Sequence, residues 1–497
     1  MRILLVTRED PYTALTGVAT YVRDLAGALM GRGREVAHLY VEARGWRART
    51  RLTWINRAGT VLGVIATPGA RPESDAARLR ADVAAPDVER AVDEAIRTWR
   101  PDIVHIHDLS GVPVGVISAA RASAVPVVVT FHDFWPFCRQ FLLVRPGLVP
   151  CSGSDGGRNC ARYCAQPAPA ARRLARWADA VLPTGLRGGV RWAQRVYRGR
   201  RGGSGSQFVV GDRAAGDGAT DPRLARAYAA RETSMRDALL DADCLLTVSE
   251  FARAVYVRHG YPQERIRVLP LALQAAEQVQ RRARAFERYP VRFGYLGRVT
   301  PWKGAHLLAE AARGVPAASA QFTFYGAVAD EDRAHLTALS GGHSGLRFAG
   351  RYTRDELGRI LDEIDVAVFP SIMTETLGLV GLEAQAAGIP IIGAAHGAIT
   401  EYVRDGQTGL LFPPGDVEAL RARLLRVVEH PDLIARLSAA IAAPRRMDEH
   451  VDAVELAYAG VLGAGRGQVR GIGRGAEPVH LAGAGPGRGA RQEDHGI

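Results

Sequence analysis

Short apolar blocks punctuate this chain, and between them apolar positions recur every third or fourth residue. Ile3–Val6 is the first block. Gly17 then opens a helical pattern in which Val22, Leu25, Ala26 and Leu29 share one face. Gly31 and Gly33 end it, and Val36–Val41 is the next block. Block, amphipathic stretch, block is the signature of a βαβ unit. Further blocks follow at Ile103–Ile106 and Val125–Thr130. Strands this continuously apolar predict a parallel sheet covered by helices on both faces.

The rhythm stops over residues 134–235, which hold four cysteines, several glycine-rich turns and an arginine-rich stretch. It resumes at Cys244–Val248 and Ile266–Leu269, and Gln274–Arg288 then reads as a polar, helical linker. A second series begins at Val291, with strands at Phe293–Leu296, Phe322–Tyr325, Leu346–Phe348, Val366–Phe369, Pro390–Ile392 and Leu410–Phe412. Asp416 is placed to cap a helix carrying Val417, Leu420, Leu424 and Val428. The expected architecture is α/β: two doubly wound, Rossmann-like domains in sequence. They are residues 1–273, with an insertion at about 134–235, and residues 289–446. A helix over 447–463 is expected to cross back to the first domain, and 464–497, rich in Gly, Arg, Ala and Pro, to be disordered. Ligands of such sheets bind beyond the carboxyl ends of the strands, so two facing sheets make one cleft.

Composition narrows the chemistry only a little. The net charge of +12 suits nucleic acid, anionic lipid or phosphorylated substrates, and the arginines are too dispersed to choose among them. No apolar run approaches a membrane span, and the N-terminus lacks a leader pattern, so a cytoplasmic protein is expected. Lys303 changes the picture more. Lys and Arg together number 64, and Lys303 is the only lysine. In a chain that uses arginine everywhere else, it marks a position that wants a compact ammonium, not a planar fork. It lies in Tyr295-Leu-Gly-Arg-Val-Thr-Pro-Trp-Lys-Gly304, where a strand runs into a loop before a helix, the place where α/β folds hold phosphate.

The most specific stretch is Pro370-Ser-Ile-Met-Thr-Glu-Thr-Leu-Gly-Leu-Val-Gly-Leu-Glu-Ala-Gln-Ala-Ala-Gly-Ile-Pro390. On one helix, its carboxylates Glu375 and Glu383 would be separated by about 12 Å of rise. That is too far to work as a hydrolase pair on one bond, and well suited to the two ends of an extended ligand such as a nucleotide-sugar. Gly378 between them lets backbone N–H groups approach a diphosphate.

These motifs resemble those of the retaining glycosyltransferases of family 4, which have the GT-B fold. The resemblance takes in Gly397, Glu401, Gly406 and Gly409-Leu-Leu411, Gly297-Arg298 with Lys303-Gly304, and Pro101-Asp-Ile-Val-His-Ile-His107. It also takes in Thr130-Phe-His-Asp133 and Val248-Ser-Glu250. It implies transfer of a sugar from a nucleotide-sugar donor to a glycan, lipid-linked or small-molecule acceptor, with no metal required for catalysis. Arg298 and Lys303 would neutralise the donor diphosphate, Glu375 would bind hydroxyls of the moving sugar, and Glu383 would bind the ribose. Gly378 and Leu379 would offer N–H groups to phosphate, and Gly17 would let the first loop approach the donor. His132 would face the reacting sugar, whereas His107 is read as structural. The chain departs from the pattern at Leu15-Thr-Gly-Val18, where a glycine pair is usual, and at Leu377, where an aromatic is common. A nucleotide-sugar epimerase or a phosphorylase of the same fold is the alternative enzyme. A basic nucleic-acid-binding protein is the alternative from another class, and no nucleic-acid partner is expected.

Two features fall outside this frame. Cys138, Cys151, Cys160 and Cys164 resemble a cysteine-bearing subgroup of the same family and could supply a structural zinc site. Their spacing also admits free thiols, disulfides or an iron–sulfur cluster. From Arg172 to Arg201 there are nine arginines, with Trp177, Trp192 and Tyr197 interleaved. This stretch reads either as a solvated basic insertion or as peripheral contact with anionic lipid on the inner face of a membrane.

Overall fold

The computed structural model describes residues 1–14, 16–44, 49–57, 59–68, 75–164, 220–282, 284 and 286–464. The arginine-rich stretch at 172–201 and the tail from 465 lie outside them.

The first sheet contains β1 (Arg2–Thr7), β2 (Glu35–Arg44), β3 (Arg51–Arg57), β4 (Thr60–Pro68), β5 (Ile103–Ile106) and β6 (Val127–Phe131). A separate small ribbon, β7 (Val144–Arg145) with β8 (Val149–Pro150), precedes the sheet's last strands, β9 (Cys244–Thr247) and β10 (Ile266–Val268). Their spatial order is β10-β9-β6-β5-β1-β2-β4-β3. Every pair is parallel except β3 with β4, which closes the edge as an antiparallel hairpin. That hairpin is not among the strands expected from the sequence.

The second sheet is wholly parallel: β11 (Val291–Leu296), β12 (Ala320–Tyr325), β13 (Leu346–Gly350), β14 (Val366–Phe369), β15 (Ile391–Ala394) and β16 (Gly409–Phe412). Its order is β13-β12-β11-β14-β15-β16. Both sheets run outward one way from their first strand and then restart on its other side. The winding therefore reverses between β1 and β5 in one sheet and between β11 and β14 in the other. A crevice opens at each reversal, beyond the carboxyl ends of the strands.

Each sheet has its own apolar core on both faces. One of these cores also joins the two halves of the molecule. The Gly17–Gly31 helix buries Tyr21, Val22, Leu25 and Leu29, and Val451, Val454 and Tyr458 of the Met447–Ala464 helix pack in the same cluster. Leu377 and Leu379 from the second half reach it too. At about 1.5–3 kcal/mol per fully buried large side chain, this shared cluster is a substantial link. Outside it, Arg34 Nε donates to Glu455 Oε1 at 2.6 Å.

The linker differs from the expected helix. Among its described residues only Gln274–Gln278 are helical. Beyond them it is held by contacts to the second half: Arg281 Nη2 donates to the Ile441 carbonyl at 2.5 Å and Arg284 Nε to the Ala387 carbonyl at 3.2 Å.

Candidate active site

The second sheet builds the charged end of the cleft at its winding reversal. After β11 the chain turns at Gly297, passes Arg298 and forms a short 3-10 turn, Pro301–Lys303. Gly304 follows with φ of +73°, and a Cβ there would lie 1.7 Å from the Pro370 carbonyl oxygen at the end of β14. Only glycine lets these two loops touch. The Ile372 and Met373 N–H groups complete the join by donating to the Trp302 carbonyl, each at 2.9 Å.

The contact places Lys303 against Glu375. Lys303 Nζ lies 2.5 Å from Glu375 Oε1, and Ser371 Oγ donates to the same oxygen at 3.1 Å. Neither side chain is fully buried. Arg298 is exposed at the mouth and makes no ion pair among the described residues, while its carbonyl accepts the Tyr295 hydroxyl at 2.8 Å. Lys303 and Glu375 thus stand together beyond β11 and β14, with Arg298 on the same loop as Lys303. This is a site able to receive the charge of a diphosphate and the hydroxyls of a sugar.

Glu375 is not on a helix. The Leu379–Ala386 helix starts at Gly378, which has φ of +82°, so Glu375 belongs to the preceding loop and Glu383 to the second helical turn. The separation expected from continuous helical rise does not apply, because the positive φ of Gly378 turns the chain between them. The N–H groups of Leu379 and Val380 are first-turn groups with no partner inside the helix. Gly17 meets this helix from the other half, where a Cβ would lie 2.9 Å from Leu379 Cδ1.

The first sheet brings histidines to the opposite wall. His132 follows β6, and its Nε2 lies 3.1 Å from His107 Nδ1. His107 is buried, and its other ring nitrogen has no hydrogen-bond partner. Tyr21 packs 5.1 Å from the His132 ring, and its hydroxyl bonds His450 Nε2 at 2.8 Å. Burial, then the neighbouring His450, holds the His132 imidazole far below its ordinary titration range, so it is neutral. A neutral imidazole accepts or donates one hydrogen bond per nitrogen and suits contact with a hydroxyl. His107 fixes the ring of His132 and so acts on the site through it. Tyr21 and His450 carry no motif that would have marked them in the sequence.

Direct hydrogen bonds cross the cleft. Thr376 Oγ1 donates to the His132 carbonyl at 2.6 Å, and Ser249 Oγ donates to the Thr376 carbonyl at 2.6 Å. Glu401 accepts the N–H groups of Glu250 and Phe251 at 3.2 and 2.5 Å, capping the Glu250–Arg258 helix of the other half. A carboxylate at a helix N-terminus is favourable on dipole grounds as well. The loop that carries Glu375 is therefore tied directly to the strand end that carries His132. Glu383 sits deeper and is 5% exposed. It pairs with Arg354, whose Nη1 lies 3.2 Å from its Oε1.

The structural zinc site admitted by the sequence falls on Cys138, Cys151, Cys160 and Cys164, just beyond the His132 loop. All are free thiols, and no group of three or more His, Cys, Asp or Glu among the described residues is placed to hold a metal ion. They lie near one another, yet Cys151 Sγ is turned to the Gly153 carbonyl at 3.5 Å, and Cys160 and Cys164 sit on one short π-helical turn. Burial, with the other thiols adding to it, pushes Cys164 up to about 12 and Cys160 higher still, so both are protonated.

Comparison with known proteins gives this arrangement a context. Residues 290–430 match the family model described as glycosyl transferases group 1, and residues 16–187 match that of a glycosyl transferase 4-like domain. Over 196 residues the chain is 28% identical to the amylovoran biosynthesis glycosyltransferase AmsK of Erwinia amylovora, covering 37% of this chain and 47% of that protein. Over 98 residues it is 40% identical to the D-inositol 3-phosphate glycosyltransferase of Streptomyces scabiei, covering 20% and 22% of the two chains. The chain thus spans about half the length of AmsK, and less of the Streptomyces protein. Among solved structures, sucrose-phosphate synthase from Thermosynechococcus elongatus aligns with a TM-score of 0.57 at 18% identity, over 93% of this chain and 97% of that one. Anabaena HepE, solved in complex with UDP-glucose, aligns with a TM-score of 0.54 at 14% identity, over 93% and 100%. The two family models together take in more than half of the sequence, one in each half, so the chain carries a glycosyl transferase 4-like domain followed by a group 1 glycosyl transferase domain, and its pair of sheets has the GT-B fold.

Proposed function

We propose that this protein is a retaining glycosyltransferase that moves a sugar from a nucleotide-sugar to an acceptor hydroxyl in the cleft between its two sheets. The observation that carries the reading is the 2.5 Å pair of Lys303 and Glu375 at the winding reversal of the second sheet. A donor diphosphate would take Lys303 and Arg298, and the sugar hydroxyls would take Glu375. As the bond from the sugar carbon to the phosphate oxygen breaks, negative charge grows on the diphosphate, and cations already in place stabilise it there. The acceptor oxygen then bonds to the same face of the sugar carbon, and its proton passes to the departing phosphate oxygen. His132 would orient the sugar or the acceptor by hydrogen bonding. Glu383 would bind the ribose, and the N–H groups at Gly378 and Leu379 would support the phosphates.

The relative named for amylovoran biosynthesis favours a glycan or lipid-linked acceptor. No described helix is long and apolar enough to cross a membrane, so contact with a lipid-linked acceptor would be peripheral. A thermal-shift screen against UDP-, GDP- and ADP-sugars tests the donor reading. A ligand at 100 times its Kd stabilises the folded state by about 2.7 kcal/mol, so one nucleotide class is expected to raise Tm by several degrees. No stabilisation by any of the three would remove the donor site from the account.

A further inference from the structure

Glu383 shares its counter-charge with a carboxylate from the opposite half of the molecule. Arg354, in the connection after β13, donates from Nη1 to Glu383 Oε1 and from Nη2 to Asp24 Oδ2, each at 3.2 Å. Glu383 lies in the second half and Asp24 on the Gly17–Gly31 helix of the first, so one guanidinium bridges the two. Asp24 Oδ2 also accepts the Gln274 N–H of the linker at 3.1 Å, and its Oδ1 lies 3.8 Å from Arg23 Nε. Tyr352 stands beside Glu383 and Arg354. Arg354 and Tyr352 from one side and Asp24 from the other are the charged and titratable groups that face this carboxylate, and Arg23 contacts Asp24. Both carboxylates are nearly buried, and the Arg354 guanidinium is divided between them, with Arg23 adding a longer contact to Asp24 alone. Glu383 Oε2 makes no bond among the described residues, which leaves it for a ligand.

We propose that Arg354 is a positioning residue for the donor site: it favours the ionised form of Glu383 with Oε2 turned to a ribose hydroxyl, while Asp24 opposes it from across the cleft. The charge of Glu383 is then set by how closely the two halves approach. This rests on the ribose-binding reading of Glu383. Burial pushes Glu383 up to about 7, Arg354 acts against that shift, and Asp24 adds to it. Arg354 travels with Glu383, whereas Asp24 belongs to the other half. Parting of the halves removes the repulsion and makes Glu383 more acidic, and closure makes it easier to protonate. An ionised carboxylate accepts hydrogen bonds from ribose hydroxyls, and a protonated one surrenders part of that capacity.

Carboxyl-carbon NMR of glutamate-labelled protein follows the Glu383 titration without any ligand, with Glu383→Gln to assign the signal. The expected midpoint for the parent is near 7. Arg354→Gln is expected to raise it by about one pH unit or more, and Asp24→Asn to lower it. Loosened packing alone would move both variants in the same direction, so opposite shifts separate charge from damage. Midpoints that coincide within a few tenths of a unit, or that move together, overturn the proposal. UDP, GDP and ADP binding by calorimetry then tests the ribose contact, comparing each nucleotide across variants so that its own ionisation cancels. Arg354→Gln should lose affinity as pH falls at a higher pH than the parent does. If the NMR midpoints separate as expected but Glu383→Gln binds every nucleotide as tightly as the parent, the ribose reading fails, and the donor role of Arg354 with it.

Discussion

Replacing Lys303 with alanine is expected to lower kcat for sugar transfer by about 10²–10³-fold, the usual cost of removing one preorganised donor from developing transition-state charge. Two effects converge on this residue. Its ammonium is proposed to meet the donor diphosphate, and it also fixes Glu375, which it contacts at 2.5 Å. Without it, Glu375 keeps the Ser371 hydroxyl at 3.1 Å as its remaining side-chain partner. Circular dichroism should be unchanged, because the side chain is partly exposed and Gly304, not Lys303, makes the tight loop contact. Lys303→Arg should rescue poorly, since a planar fork does not fill the place of a compact ammonium. Near-parental kcat in the alanine variant would end the role assigned here.

Asp82→Ala should destabilise the fold by about 3–5 kcal/mol, because it strands a buried guanidinium. Arg231 is 3% exposed and lies 2.7 Å through Nε from Asp82 Oδ2, which also receives Arg139 Nε at 2.8 Å. Its other nitrogens donate to the carbonyls of Trp135 and Pro136, each at 3.0 Å, and its Cζ lies 5.0 Å from the centroid of the Trp135 ring. The loop thus held begins at His132, so Asp82→Ala should reduce transfer as well as stability. Arg139→Ala is the control. Arg139 is partly exposed and Arg231 keeps Asp82, so its cost should stay near 1 kcal/mol, within the range of exposed pairs. Thermal unfolding of the two variants decides the matter. Equal losses would mean that Arg231 is not held in the way described.

The second sheet was legible strand by strand because its inner strands carry buried apolar runs such as Val366–Phe369, while the half-exposed edge strand Leu346–Gly350 still alternates Leu346 and Phe348 with exposed Arg347 and Ala349. The β3–β4 hairpin was not. Arg51–Arg57 buries Leu52 but leaves Arg51, Thr53 and Ile55 exposed, an edge alternation that charged residues disguise. The linker beyond Gln278 was misread because its conformation depends on partners far away, such as the Ile441 carbonyl 160 positions from Arg281.

The same division runs through the site. Lys303, Glu375 and Gly378 stand in compact motifs, and the structure sets Lys303 on Glu375. Arg354 and Asp24 sit in unremarkable stretches, and the motif that holds Ser249 does not reveal its partner. The sequence separation from Arg354 to Asp24 is 330 and from Ser249 to Thr376 is 127, so only the folded chain shows that they meet. For the cysteines, spacing alone admits a metal site or free thiols, and the folded chain adds that Cys151 Sγ lies 3.5 Å from the Gly153 carbonyl.

A crystal structure with the nucleoside diphosphate identified by the thermal screen tests the central claim most directly. The account predicts a phosphate oxygen within about 3 Å of Lys303 Nζ, the ion pair to Glu375 opened, and Glu375 facing the place of the sugar. A nucleotide bound away from β11 and β14, or bound there with Lys303 still closed on Glu375 and touching no phosphate, would contradict it.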